Sequence, residues 1–556
     1  MSTTELEPIE AAVEVQQIEE SGKSDRSKIV QGAAIIMAGT MLSRVLGLGR
    51  EQITSWLFGT GDAVAAYTIA DNIHTMLYDL VISGMIQAAI VPVLSGYAAP
   101  ELREEFRRIT GALLMLAVIF VGGAVVILEI LAPQAVTVMT VFGGGAQARG
   151  ESTVQLTVIL VRMILPAVFL LSIAAVMMSS LYSLQRFARP AISVAVRNFA
   201  IIVVALLLGR SSLGIKSMQI GIICGALALI AIQAPGLRDA LPKPNLNIRH
   251  PAIRRILALY IPISIGLVSN AIALVVDRNL AWGVGENALG AMRYATTLNQ
   301  MILGLVATAT SIAALPALSR HFAAGDTESF QRTLSNGLKM VTIMVVPATL
   351  GLAAIGWPTV RLLFYHGATN FSGAHAIFIA LLAYLPGTFF AAFDQVLIFT
   401  YYARQNTKTP VIVGVLAVGV YFLIALTTVD RFGMVGLVLA NSAQFTFHAI
   451  VMWVLVKRLL GRVGDSTVVT TFWKSLLAGG IMTVAVYGIY RLMQMTSFAS
   501  VHGAAHLSAL PTESTSVFIP IGVGFVTYLV GLRLLGVEEI HAIQQGVMRR
   551  LGRATS

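Results

Sequence analysis

Long apolar runs, one after another, constrain this chain more than any other feature. They recur from residue 29 to residue 536, and about 20 apolar residues suffice to cross the hydrocarbon core of a bilayer as a helix. The alternation over about 10 residues that marks membrane β-strands is absent. With 56% hydrophobic and 12% charged residues and a mean hydropathy of +0.80, too little polar character remains to cover a soluble body of 556 residues. The expected fold is an all-α polytopic membrane protein.

Fourteen spans are predicted, at roughly 29–49, 64–96, 106–132, 153–183, 190–209, 214–235, 253–282, 288–318, 332–356, 374–402, 410–429, 433–456, 472–493 and 515–536. Pro133, Pro190, Pro235 and Pro410 stand at span edges, as stop and start signals do. Pro166, Pro262, Pro347 and Pro386 fall inside spans and predict kinks.

The net charge of +11 is not gathered into one patch, which argues against a nucleic-acid partner. Most of the 38 Lys and Arg fall in the tails and even-numbered loops, among them Arg103, Arg107, Arg186, Arg249, Lys457 and Arg549. That asymmetry predicts both termini in the cytoplasm. Residues 1–28, acidic and then basic, read as a disordered cytoplasmic tail. No cleavable signal peptide is expected, because the first apolar run starts late and many follow. The single cysteine, Cys224, lies in an apolar run and reads as a buried structural thiol.

The chain also repeats itself. At an offset of 224, Gly59 meets Gly283, Gly61 meets Gly285, Asp62 meets Glu286, Pro92 meets Pro316 and Ser95 meets Ser319. At an offset of 220, Leu165-Pro166 meets Leu385-Pro386, Tyr182 meets Tyr402, Gln185 meets Gln405 and Pro190 meets Pro410. The predicted organisation is an N-lobe of six helices (29–235), a cytoplasmic linker (236–252) and a C-lobe of six more (253–456). Two extra helices (457–536) and a basic cytoplasmic tail (537–556) follow. Six is an even number, so both lobes start on one side of the membrane. A pseudo-twofold along the membrane normal results, with a cavity between lobes that opens by rocking.

Charges inside spans are costly and usually face water or a partner. Arg44 and Arg50 in the first span are six apart, about 600° around a helix, so they do not share one face. Arg44 is expected to lie deeper and to face a cavity, whereas Arg50 also reads as a residue reaching for the interface. Arginines there suit a phosphate- or carboxylate-bearing substrate. Asp277 and Arg278 are neighbours that point apart on a helix, so they need not pair. Arg293 fits a partner for Asp277, an interface residue or a substrate contact. Arg162 and Arg197 read as bonds to carbonyls. Asp71, Asp79 and Asp394 fit either the binding of a coupling cation or proton or the neutralising of an arginine, and Asp277 is a further cation candidate, although span 11 brings no Asn or Asp to complete a site.

Enzyme readings find little. Gly22-Lys23-Ser24 imitates a phosphate loop, but Gln17 stands where its first glycine belongs. The histidines lack metal spacing apart from His502 and His506, which have no third ligand nearby. No metal or cofactor is expected, and transport would draw on the membrane potential or a cation gradient.

Several motifs resemble the MurJ (MviN) family. They are Ser43-Arg44-Val45-Leu46-Gly47-Leu48-Gly49-Arg50-Glu51, Phe58-Gly59-Thr60-Gly61 and Gly84-Met85-Ile86-Gln87-Ala88-Ala89-Ile90-Val91-Pro92. Val276-Asp277-Arg278, Leu315-Pro316-Ala317-Leu318-Ser319 and the run from Tyr401 to Pro410 also resemble it. The resemblance implies the fold of the multidrug/oligosaccharidyl-lipid/polysaccharide exporter superfamily. It also implies a flippase for lipid II, the undecaprenyl-pyrophosphate-linked peptidoglycan precursor, in a bacterial plasma membrane. Arginines for the pyrophosphate and a lipid-tail groove along the last two spans come with it, as do membrane lipids and cell-wall synthesis proteins as partners. Arg44 and Arg50 match the two first-helix arginines of the motif. Three polar positions of the family fall instead on Ala65, Tyr78 and Thr297, and the glutamate before Gly84 is Ser83. Arg293 is one turn before Thr297. Tyr78, Thr297, Arg278 and Arg293 therefore join Arg44 and Arg50 as substrate-contact candidates. A flippase for another undecaprenyl-linked saccharide fits the same residues. An exporter of cationic drugs, which calls for deep carboxylates rather than arginines, fits them less well, and a non-transporting scaffold needs no headgroup site at all.

Overall fold

A computed structural model describes residues 35–79, 89–243, 245, 247, 249–304, 308–461, 465–495, 510–537 and 539. The 1–28 tail, residues 84–88 of the third motif, the His502 and His506 pair and nearly all of the basic 537–556 tail lie outside the described residues. In chain order the helices are α1 (35–58), α2 (Asp62–Tyr78), α3 (Val91–Ser95), α4 (Arg103–Leu116), α5 (Gly122–Ile130), α6 (Ala132–Thr140) and α7 (Gly145–Arg149). Then come α8 (Glu151–Ser183), α9 (Ala188–Leu208), α10 (Lys216–Gln233), α11 (Pro251–Gly283), α12 (Ala288–Ile302), α13 (Thr308–Ala323) and α14 (Thr327–Ala354). The last are α15 (Gly356–Phe364), α16 (Phe371–Ala403), α17 (Lys408–Phe432), α18 (Met434–Leu460), α19 (Asp465–Met495) and α20 (Leu510–Leu534).

Among the described residues the regular structure is entirely helical. Lipid offers backbone N–H and C=O groups no partner, so each segment must satisfy its own. Ten helices among the described residues are long and apolar enough to cross a membrane. Of the four other predicted spans, 29–49, 253–282 and 288–318 overlap α1, α11 and the pair α12 and α13, and the described residues of 64–96 overlap α2 and α3, so the count of fourteen is consistent with the structure. Pro166, Pro347 and Pro386 each sit within one helix that continues past them.

The repeat is legible in the helix boundaries. The first residues of α4 and α14, Arg103 and Thr327, are 224 apart. At the same offset α6 and α15, nine residues each, correspond end to end. At an offset of 220, so do α8 and α16, 33 residues each. Both 33-residue helices also stop in the same way. Gln185 and Gln405 take left-handed φ of 56° and 59°. Behind them Arg186 N donates to Leu181 O (2.8 Å) and Asn406 N to Tyr401 O (3.0 Å), with Gln185 N to Tyr182 O and Gln405 N to Tyr402 O inside. This is the paired closure of a Schellman motif. The left-handed conformation costs a non-glycine residue about 1–2 kcal/mol, which the capped carbonyls offset. The start of α14 is fixed by Asp326, whose side chain accepts from Ser329 N at 2.9 Å. Those hydrogen bonds to Ser329 hold the Asp326 carboxyl below the ordinary carboxylate range.

By contact the chain divides into two units that do not follow the sequence halves. The first takes the chain up to Arg50, Ile73–Ala132 and Val161–Val268. Here α9 and α10 meet closely, Gly221 lying against Ile201 and Gly225 against Arg197. The linker runs along α4: Arg107 Nε donates to Leu241 O (2.8 Å), Lys243 Nζ binds Glu104 (2.7 Å) and His250 meets Glu105 (2.6 Å). A Cβ on Gly111 would fall 1.7 Å from the carbonyl oxygen of Lys243. Gly111→Ala is therefore expected to push the linker off α4 and destabilise the protein by about 1–3 kcal/mol, the usual cost of overpacking. A lowered apparent unfolding temperature in detergent checks it, and an unchanged one contradicts it.

The second unit gathers Glu51–Asn72, Pro133–Leu160 and the chain from Ser269 onward. The last two helices have no counterpart in the repeat but are firmly docked. Ile343 of α14, Met482 and Val486 of α19 and Tyr528 of α20 share one core, and Tyr528 donates to Ile343 O at 2.9 Å.

Within this unit the turn after α1 and its repeat mate after α11 are each held by a short segment from elsewhere. Ala368 N donates to Trp56 O (2.9 Å), Tyr294 Oη to Gly59 O (2.9 Å) and Thr60 Oγ1 to Asn287 Oδ1 (2.6 Å). Gly59 has a φ of 72°, and a Cβ there would lie 2.7 Å from the Ala368 carbonyl oxygen, so conformation and crowding both require glycine. The turn after α11 lies on α6 and α7: Asn279 Nδ2 donates to Val138 O (2.5 Å) and Trp282 Nε1 to Gly145 O (2.9 Å). Buried Arg149 completes this contact, donating to Trp282 O (2.9 Å), Glu286 O (3.0 Å), Gly285 O and Asp62 Oδ1 (2.6 Å).

Candidate functional site

Arg293 is the most densely bonded of the residues singled out from the sequence. It stands about one and a half turns into α12, where α2 and the C-terminal end of α1 supply carboxylates. Its Nε and Nη2 donate to the two oxygens of Glu51 at 2.7 and 2.9 Å, and Nη1 donates to Asp71 Oδ2 at 2.8 Å. The guanidinium carbon lies 4.5 Å from the centre of the Tyr67 ring. The side chains of Arg293 and Glu51 are 10% and 2% exposed. All three nitrogens are thus committed, and the geometry is the two-pronged one that makes arginine–carboxylate pairs strong. In this conformation Arg293 is a latch among α1, α2 and α12 rather than an open anion receptor.

Two expectations about pairing are corrected here. Arg293 does not partner Asp277, because Glu51 and Asp71 are the carboxylates brought to it. Asp277 and Arg278, expected to diverge, lie 3.4 Å apart through Oδ2 and Nη1. Successive positions on a helix diverge by about 100°, but the long arginine stem folds back far enough. Tyr421 from α17 donates to the other Asp277 oxygen at 2.5 Å.

Arg44 and Arg50 lie on α1, both half-buried. Next to Arg44, Ser43 is tied to α9 by Asn198 Nδ2, which donates to its carbonyl (3.1 Å) and reaches its hydroxyl (3.2 Å). Tyr78 packs against Leu171, Ala174 and Ala175 of α8. The Thr297 hydroxyl is spent on its own helix, donating to Arg293 O at 3.1 Å. Asp394 faces His448 at 2.7 Å. Arg162 donates to the Glu129 carbonyl at 3.2 Å, as its reading as a carbonyl-bonding residue expects. Among the described residues no cluster of His, Cys, Asp and Glu could hold a metal ion.

Sequence reasoning missed Glu51 and Arg149. Glu51 stood in view as the last residue of the first-helix motif, but nothing in one sequence pairs it with a residue 242 positions away. Arg149 reads as an ordinary loop cation, because the folding of 132–149 into short helices is not written in hydropathy.

Residues 54–504 match the model of a protein family described as lipid II flippase MurJ. The chain belongs to the MurJ family. A probable lipid II flippase MurJ from Vibrio cholerae is 28% identical over 531 residues, covering 92% of this chain and 97% of the relative. The lipid II flippase MurJ of Burkholderia cenocepacia is 24% identical over 429 residues, covering 75% and 82%. Among solved structures, a lipid II flippase MurJ in an inward closed conformation superposes with a TM-score of 0.73 at 21% identity, covering 90% of this chain and 98% of that one. An inward-facing multidrug resistance transporter of the MATE family gives 0.65 at 15% identity, covering 78% and 99%. The MurJ fold is thus shared along nearly the whole chain.

Proposed function

We propose that this protein flips lipid II from the inner to the outer leaflet of a bacterial plasma membrane, with both termini in the cytoplasm. The observation that carries the reading is the match to lipid II flippases over 92% of the chain, at almost their full length. The chemistry agrees with it. Moving the headgroup through lipid is opposed by the cost of stripping water from its charges and hydroxyls. The polyprenyl tail faces no such cost and stays in the hydrocarbon. Arg44 and Arg50 offer the pyrophosphate two guanidinium forks, each able to replace lost water with paired charge-assisted hydrogen bonds. The exposed apolar side chains of α19 and α20, such as Trp473, Leu477, Phe518 and Phe525, offer the tail a surface. Nothing in these roles calls for bond-making chemistry, so the protein acts as a transporter driven by a gradient across the membrane.

The test is depletion of the protein in its host, followed by measurement of lipid-linked intermediates. Lipid II is expected to accumulate in the inner leaflet, and accumulation of a different undecaprenyl-linked saccharide instead would replace lipid II as the substrate.

A further inference from the structure

Among the described residues, the buried ionisable pair of Asp394 and His448 takes no part in the contacts with the headgroup arginines described above. Asp394 stands on α16 and His448 on α18, helices so close that a Cβ on Gly387 would lie 2.6 Å from Ser442 Cα. His448 Nδ1 is 2.7 Å from Asp394 Oδ2, with the side chains 11% and 7% exposed. The other ring nitrogen, Nε2, is 3.3 Å from the carbonyl of Pro410 in the first turn of α17. Asp394 Oδ1 is buried with no hydrogen-bond partner. Three helices therefore meet at one imidazole.

The ring lies between two acceptors: Nε2 is hydrogen-bonded to the Pro410 carbonyl, whereas Nδ1 meets the Asp394 carboxylate at ion-pair distance without hydrogen-bond alignment. A neutral imidazole can give its one N–H to the carbonyl but brings the carboxylate no balancing charge. A protonated ring does both, and the pair is then neutral overall. Loss of the proton leaves a net negative charge at membrane depth, which is costly. It also sets a bare ring nitrogen against either the Asp394 carboxylate or the Pro410 carbonyl, so the contact of α18 with α16 or with α17 must loosen. One proton thus changes how three helices fit.

The surroundings leave this pair to itself. On neighbouring elements, Arg293 is held by Glu51 and Asp71, Lys339 by Glu539, Arg361 by Glu513 and Tyr421 by Asp277. Arg320 and His321 of α13, Lys408, Asp430 and Arg431 of α17, and Lys457 and Arg458 of α18 all sit in terminal turns. Tyr402 stands two turns along α16 from Asp394. Asp277, the alternative seat for a cation, already has the Tyr421 hydroxyl and the Arg278 guanidinium beside it.

We infer that Asp394 and His448 bind and release the proton that drives each transport cycle, in place of a sodium ion. The inference rests on the transport reading above. To test it, the full-length protein is reconstituted into sodium-free vesicles, with the potential held at zero by valinomycin in symmetric potassium. The leaflet distribution of fluorescent lipid II is then read after a pH step. One coupled proton shifts that distribution about tenfold for a step of about one pH unit. Asp394→Asn and His448→Gln are expected to abolish the shift. A distribution that ignores pH but follows a sodium gradient overturns the inference, as does an Asp394→Asn variant that keeps the shift. If the wild-type protein moves no lipid II, the transport reading fails, and the proton site is then decided by the 15N resonances of His448. A titration of the ring with a midpoint changed in Asp394→Asn supports the site, and no titration overturns it.

Discussion

Arg293→Ala is expected to destabilise the protein by about 3–5 kcal/mol, the usual cost of removing one partner from a buried ion pair. The loss goes beyond three hydrogen bonds. It leaves the Glu51 carboxylate, 2% exposed, beside that of Asp71 without the guanidinium that bridged them. A neutral replacement of the whole group should behave differently, since exchanging a complete buried ion cluster for neutral groups is often close to neutral in stability. The triple variant Glu51→Gln, Asp71→Asn, Arg293→Met is expected to regain most of the lost stability. Apparent unfolding temperatures in detergent, followed by size-exclusion chromatography, decide the matter. A single variant as stable as the wild type would mean that the latch does not contribute to holding α1, α2 and α12 together.

Arg44→Ala is expected to reduce lipid II transport by about 30-fold or more while expression stays normal. Removing one partner of a desolvated charge pair costs about 2–5 kcal/mol, and each 1.4 kcal/mol is about tenfold. Arg44→Lys keeps the charge but loses the planar fork, so an intermediate activity is expected. Arg50→Ala should be milder, since that side chain also has an interfacial role. Growth of a strain depleted of its own lipid II flippase reads the effect. Full complementation by Arg44→Ala at wild-type expression would remove this arginine from the headgroup contact.

Helix and repeat were open to reading before any coordinates, because both rest on local chemistry. A run of apolar residues must satisfy its own backbone in lipid, and that requirement does not depend on what the run packs against. The matched turn residues carry the same kind of information. Gln185 and Gln405 end their helices alike because the same short stretch sets the same closure. The first-helix motif placed Arg44 and Arg50 on one half-buried helix for the same reason.

Pairing was not open in this way. Residue order was enough to read the spans, the internal repeat and which charges fall inside apolar runs. It took the three-dimensional packing to show that Arg293 belongs with Glu51 and Asp71, that Arg278 folds back on Asp277, that Arg149 is a buried clasp, and that Asp394 meets His448. Hydropathy records where a segment sits along the membrane normal, whereas a partner is chosen by the rotation and contacts of helices far apart in the chain.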